Sequence, residues 1–126
     1  MNVLLDTCAL VALSNGPLPA AAAQAFGAAT NAYVSTACVW EAAIKYKAGK
    51  LSLSQPPEAW FEGLCRHYHP AELPLPARLL CAAAALPLIH RAPFDRVLIA
   101  TALRDRLILL TFNATIPTYP GVTTIW

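Results

Sequence analysis

Charge is scarce in this chain. Of 126 residues, nine are Lys or Arg and seven are Asp or Glu, a charged fraction of 13% against a hydrophobic fraction of 57%. Such a composition excludes a disordered or low-complexity scaffold, because there is ample apolar surface to bury and little charge to keep it solvated. Long apolar runs are missing too. The longest, Leu79 to Ile89, has 11 residues and contains Pro87, short of the roughly 20 that cross a bilayer. The opening Met-Asn-Val-Leu-Leu-Asp has no basic n-region, and Asp6 falls where a signal peptide keeps its apolar core. The expectation is a cytoplasmic protein with no membrane attachment, folded as one domain over 1–126.

Several motifs are also absent. Cys8, Cys38, Cys65 and Cys81 form no Cys-x-x-Cys pair, so they read as buried, reduced thiols rather than a zinc ribbon or redox pair. There is no His-Glu-x-x-His, and His67 and His69 stand two residues apart, a spacing that no helix presents on one face. Without a Gly-x-Gly-x-x-Gly or a Walker lysine, dinucleotide and P-loop sites have no support. The net charge of +2 is too small to name a polyanionic partner. Trp40, Trp60 and the phenylalanines recur at helical spacing and read as core rather than as base-stacking platforms.

What is present alternates between strand and helix. Asn2–Leu5 reads as a buried strand with Asp6 at its carboxyl end. A short helix over Cys8–Leu13 stops at Ser14-Asn15-Gly16-Pro17, and an alanine-rich helix follows over 18–29. Ala32-Tyr33-Val34 reads as a second strand. Ser35 or Thr36 caps a helix running to Ala48, with Gly49 at its stop and Lys45, Lys47 and Lys50 at the negative end of its dipole. Prolines open further helices at 56–67, 76–86 and 93–104. Extended pieces are expected at 72–75, 107–111 and 122–125. This pattern predicts an α/β domain on a mainly parallel sheet.

In such sheets ligands gather outside the carboxyl ends of the strands. Asp6 follows the first strand, Asn113 lies two residues past 107–111, Glu41 sits early in the helix after the second strand, and Asp95 is in the first turn opened by Pro93. Convergence would crowd oxygen-bearing groups whose mutual repulsion a divalent cation relieves, and hard oxygen ligands favour Mg²⁺ or Mn²⁺ over zinc. Each residue also has a plainer role: a helix cap for Asp6, a dipole-favourable acid for Asp95, a surface helix position for Glu41, a turn for Asn113. Asp6 as an aspartyl nucleophile is weakened by Cys8, which stands where such enzymes carry a second acid. His90, between a helix and the Pro93 turn, is expected to satisfy loop backbone groups or touch substrate.

Val-Leu-Leu-Asp-Thr-Cys-Ala-Leu (3 to 10), Val-Ser-Thr-Ala-Cys-Val-Trp-Glu-Ala-Ala-Ile-Lys (34 to 45) with Gly-Lys-Leu (49 to 51), and Leu-Pro-Leu-Ile-His-Arg-Ala-Pro-Phe-Asp-Arg-Val-Leu-Ile-Ala (86 to 100) resemble the PIN-domain ribonucleases, and most of all the VapC toxins of VapBC toxin–antitoxin systems. The likeness runs in order through to the closing Tyr-Pro-Gly-Val-Thr-Thr-Ile-Trp. It implies a three-layer α/β/α domain that binds Mg²⁺ or Mn²⁺ and hydrolyses RNA phosphodiesters, with a VapB-type antitoxin as partner and a toxin homodimer. By motif position Asp6, Glu41 and Asp95 take the family's first three acidic sites, and Thr7 is the hydroxyl residue beside the first. The fourth acid falls on Asn113, where an amide still offers a neutral oxygen but no charge. Ala92 stands where relatives usually have an Asp that is not part of the core set. Lys45, Lys47, Arg91 and Arg96 are candidates for holding the RNA backbone, and Thr7 is a further candidate for substrate contact. The Asn113 departure keeps open an alternative: a catalytically weakened PIN domain that serves as an RNA- or protein-binding regulatory module.

Overall fold

The computed structural model describes all residues, Met1–Trp126. Five strands form one sheet: β1 (Asn2–Leu5), β2 (Asn31–Ser35), β3 (Ala71–Leu73), β4 (Ile108–Leu110) and β5 (Thr123–Ile125), in the order β3-β2-β1-β4-β5. Every neighbouring pair is parallel. Parallel strands need crossovers, and six helices supply them: α1 (Thr7–Asn15), α2 (Ala20–Ala28), α3 (Thr36–Lys47), α4 (Pro57–Tyr68), α5 (Ala77–Ala85) and α6 (Pro93–Asp105). The chain steps outward from β1 to β2 to β3, then returns to β4 and β5 on the other side of β1. Right-handed crossovers therefore put α1 to α4 on one face and α5 with α6 on the other, the three-layer α/β/α arrangement that the resemblance implies.

The central strand carries the least exposed residues. Val3, Leu4 and Leu5 are fully buried, as are Leu109 and Leu110 beside them and Val34 on the other flank. A strand covered on both faces has no polar side, which is why Val-Leu-Leu runs without alternation. Cutting Leu4 to Ala would leave a cavity worth about 2–5 kcal/mol.

Local chemistry sets the element ends. Ser35 caps α3 by accepting a hydrogen bond from the Ala37 N–H at 3.2 Å. Pro57 and Pro93 occupy first-turn positions of α4 and α6, and His69 and Arg106 close those helices in the left-handed region at φ 53° and 54°. The boundaries differ from the sequence reading by at most two residues. The third strand is shorter than expected, because Pro74 and Pro76 cut its pairing short.

Three core expectations are corrected. Trp60 and Phe61 are buried, but Trp40 is 62% exposed and Phe112 is 66% exposed. Trp40 lies on the solvent stripe of α3, where its ring meets Phe94 edge to face. Of the cysteines, all free, Cys38 is buried, Cys8 and Cys65 are partly buried, and Cys81 is exposed on the outer stripe of α5.

Candidate metal centre

The sheet order creates one place where neighbouring strands send their chains in opposite directions. From β1 the chain leaves toward β2, whereas β4, the other neighbour of β1, leads on to β5. A crevice opens at that reversal, outside the carboxyl ends of β1 and β4. Leu5 pairs with Leu110, so Asp6 and Thr111, the residues that follow, emerge side by side. The Thr111 hydroxyl donates to Asp6 Oδ2 at 2.6 Å.

Three acids meet there. Asp6 is 5% exposed, Glu41 7% and Asp95 9%, and each offers an oxygen within 4.8 Å of the others. Glu41 reaches the crevice because it shares the inward stripe of α3 with Cys38 and Ala42. Asp95 is the third residue of α6, where the positive end of the helix dipole favours an acid. Asp6 immediately precedes α1 and accepts from the Thr7 N–H at 2.6 Å. The Thr7 hydroxyl donates to Glu41 Oε1, and Lys45, one turn along α3, donates to Glu41 Oε2 at 2.9 Å. A cavity of about 450 Å³ lies over the acids, with Lys45, Lys50, Phe112, Asn113 and Trp126 among its lining.

The electrostatics are those of a site short of positive charge. Burial pushes the Asp6 carboxyl up from its ordinary value; Asp95 and Glu41 push it the same way, against the hydrogen bonds from Thr111 and Thr7. The hydrogen bond with Glu41 raises the Lys45 ammonium. Cys8 lies 3.5 Å from Asp6 Oδ2, and burial, then the Asp6 charge, pushes its thiol up to about 12. It is a neutral thiol at physiological pH and no nucleophile.

Buried acids with one compensating lysine at the rim fit a hard divalent cation, which would be held by Asp6, Glu41 and Asp95. Asn113 also lies at the centre, but its oxygen does not face the acids. Its Oδ1 accepts from the Thr115 N–H at 3.0 Å, and its Nδ2 donates to Asp95 Oδ2 at 3.2 Å. The sequence reading expected the amide to present a neutral oxygen to a cation; here that oxygen accepts a backbone N–H and the NH₂ is the group turned to Asp95.

Among the basic candidates, Lys45 lines the cavity. Arg91 is exposed and lies with Arg96 at a different hollow, between α5 and α6. Arg96 is corrected from substrate contact to a structural role. The residue is 8% exposed, and its guanidinium donates to the carbonyls of Ala83, Ala84, Leu86, Pro87 and His90. Lys47 is exposed and outside the cavity lining.

The sequence reading missed Thr111, Lys50 and the partner of His90. The His90 Nε2 lies 2.7 Å from Asp95 Oδ2, a pairing with a carboxylate rather than with loop backbone. Thr111 ended an expected strand, so its signal was legible only to a reader who knew that β4 lies beside β1.

No curated protein matches the chain by sequence. By structure it is similar to VapBC2 from Rickettsia felis bound to a DNA fragment from its promoter, at 13% identity and a TM-score of 0.73, covering 100% of this chain and 99% of that one. A toxin–antitoxin complex from Klebsiella pneumoniae is similar at 23% identity and TM-score 0.68, over 97% of this chain and 96% of that one. FitAcB from Neisseria gonorrhoeae is similar at 19% identity and TM-score 0.66, over 100% and 97%. These likenesses show the fold. A sequence match to the PIN domain family extends over residues 3–121, from the first core residue of β1 to the turn before β5, and this chain belongs to that family.

Proposed function

We propose that this protein is a metal-dependent endoribonuclease, the VapC-type toxin of a type II toxin–antitoxin pair. The observation that carries the reading is the convergence of Asp6, Glu41 and Asp95 within 4.8 Å at the strand-order reversal of a PIN domain. Those three residues would hold Mg²⁺ or Mn²⁺. When bound, the cation supplies Lewis acidity, making the attacking water more acidic and offsetting charge that builds on the phosphate. Thr7 and Thr111 hold the Glu41 and Asp6 carboxylates in place, so little reorganisation is needed as charge develops. Lys45 and Lys50, at the cavity wall, contact the RNA backbone. A covalent route through Asp6 is disfavoured, since Cys8 stands where such enzymes carry a second acid.

The toxin–antitoxin nature of the structural neighbours supports a VapB-type antitoxin as partner. Trp40, Leu88 and Phe112, each more than 60% exposed, supply apolar surface for that partner and for a homodimer. The test is RNA cleavage by the purified chain with Mg²⁺ or Mn²⁺, expected to stop with EDTA; full activity in EDTA sinks the metal mechanism. A short overlapping reading frame encoding a DNA-binding antitoxin would separate a toxin from a generic PIN nuclease. The Asn113 departure favours one second reading, a binding module with weakened catalysis. Soluble, folded protein that is harmless on expression and binds RNA without cutting it would establish that reading instead.

A further inference from the structure

The three acids are not equally occupied. Asp6 accepts the Thr7 N–H on Oδ1 and the Thr111 hydroxyl on Oδ2. Glu41 accepts the Thr7 hydroxyl on Oε1 and Lys45 on Oε2. Asp95 differs: His90 Nε2 at 2.7 Å and Asn113 Nδ2 at 3.2 Å both address Oδ2. Of the six carboxylate oxygens, only Asp95 Oδ1 has no hydrogen-bond partner within the protein.

The orientation of the Asn113 amide is settled by its surroundings. The Thr115 N–H can only donate, so the atom facing it must be the Asn113 oxygen, and the NH₂ must face Asp95. Reversing the amide would set a donor against the Thr115 N–H and an acceptor against a carboxylate, losing two hydrogen bonds and adding two repulsions. The Asn113 N–H, donating to the Thr111 hydroxyl at 3.1 Å, ties the same turn to the residue that holds Asp6.

We infer that Asn113 is a positioning residue, not a cation ligand: with His90 it pins Asp95 Oδ2, on which two donors converge, and leaves Oδ1 as the oxygen that Asp95 would offer a cation. This rests on the metal-centre reading above. An acid at this position would have contributed a ligand and a charge. The amide instead contributes a donor that turns the neighbouring ligand, at no gain in negative charge.

Two measurements on the same samples test it, neither of them enzymatic. Calorimetry with Mg²⁺ gives affinity and stoichiometry, and amide hydrogen exchange at Thr115 reports whether the Asn113 oxygen keeps its backbone partner. The expected result is one Mg²⁺ per chain and unchanged Thr115 protection on loading. Asn113→Ala should weaken Mg²⁺ binding roughly tenfold or more, the usual effect of losing a group that orients a ligand. Faster Thr115 exchange in the Mg²⁺ form would mean that the amide turns its oxygen to the ion, which overturns the inference while leaving the metal centre standing. Equal affinity of Asn113→Ala and wild type overturns it as well. A wild type that takes up no Mg²⁺ overturns both this inference and the reading on which it rests. The exchange measurement is made on the unaltered chain, so it decides the matter even if the alanine variant loses its turn.

Discussion

At the scale of single residues, the acids separate charge from shape. Asp6→Asn and Asp95→Asn remove charge with little change in volume, and each should lower RNA cleavage by orders of magnitude with an unchanged circular dichroism spectrum. Wild-type rates from both would move the site elsewhere. Asn113→Asp retains the acceptor for Thr115 and adds a carboxylate beside Asp95; it should tighten Mg²⁺ binding in a calorimetric titration and lower the Mg²⁺ needed for half-maximal cleavage. Asp6 also predicts a pH dependence. Its folded carboxyl is raised above the ordinary 3.8, first by burial and then by Asp95 and Glu41. Between those values the folded chain holds a proton that the unfolded chain has lost. The contribution to stability is therefore fully present below pH 3.8 and is lost as pH rises through the folded value. In EDTA, the urea midpoint of Asp6→Asn relative to wild type should increase as pH rises from about 4 toward neutrality. A difference that stays constant with pH would show that Asp6 titrates normally.

At the scale of elements, the decisive join is between α5 and α6. α6 has no side-chain cap at its start, and the 86–92 connection carries His90 to Asp95. Arg96 organises this segment by donating to two carbonyls at the end of α5 and three in the connection. The Tyr119 hydroxyl accepts from the His90 N–H at 2.8 Å and from Arg96 at 3.3 Å. Replacing Arg96 with Leu strands several buried acceptors, each worth about 1–3 kcal/mol. The expected loss is about 3 kcal/mol or more in denaturant unfolding. Arg96→Lys should not restore it, because an ammonium lacks the planar fork that spans these carbonyls. A midpoint within error of wild type for Arg96→Lys would refute the bracing role.

At the scale of the whole molecule, metal and fold are linked. A cation that binds only the folded chain stabilises it by mass action, about 2.7 kcal/mol at a hundred times its Kd. Mg²⁺ should therefore raise Tm in wild type and leave Asp95→Asn nearly unmoved, as read by differential scanning calorimetry. Expression of the chain alone should arrest growth, and coexpression of a neighbouring antitoxin should relieve the arrest. No helix is long and apolar enough to cross a membrane. The exposed aromatic and aliphatic side chains instead predict a dimer by sedimentation equilibrium, and a single species at the mass of one chain would count against it.

The sequence by itself determined the element types and the three acids. Apolar strands, proline-opened helices and capping residues are local features, and an acid such as Asp6 or Asp95 within apolar sequence is conspicuous because burying a charge is costly without a purpose. Most of the site's chain order was legible for the same reason. What tertiary structure alone decided is the set of partners that turn each oxygen. Thr111 reaches Asp6 only because β4 lies beside β1, a pairing between residues 105 positions apart. Arg96 stood next to Asp95 in sequence and so read as a substrate contact, yet the helix turned it toward the carbonyls of α5. Trp40 had the spacing of a core residue, but spacing locates a stripe without saying which stripe faces the sheet. Asn113 presents its nitrogen rather than its oxygen because of a single N–H two residues ahead. Hydrogen-bond direction depends on where such a donor sits in space, and the identity of the side chain leaves that open.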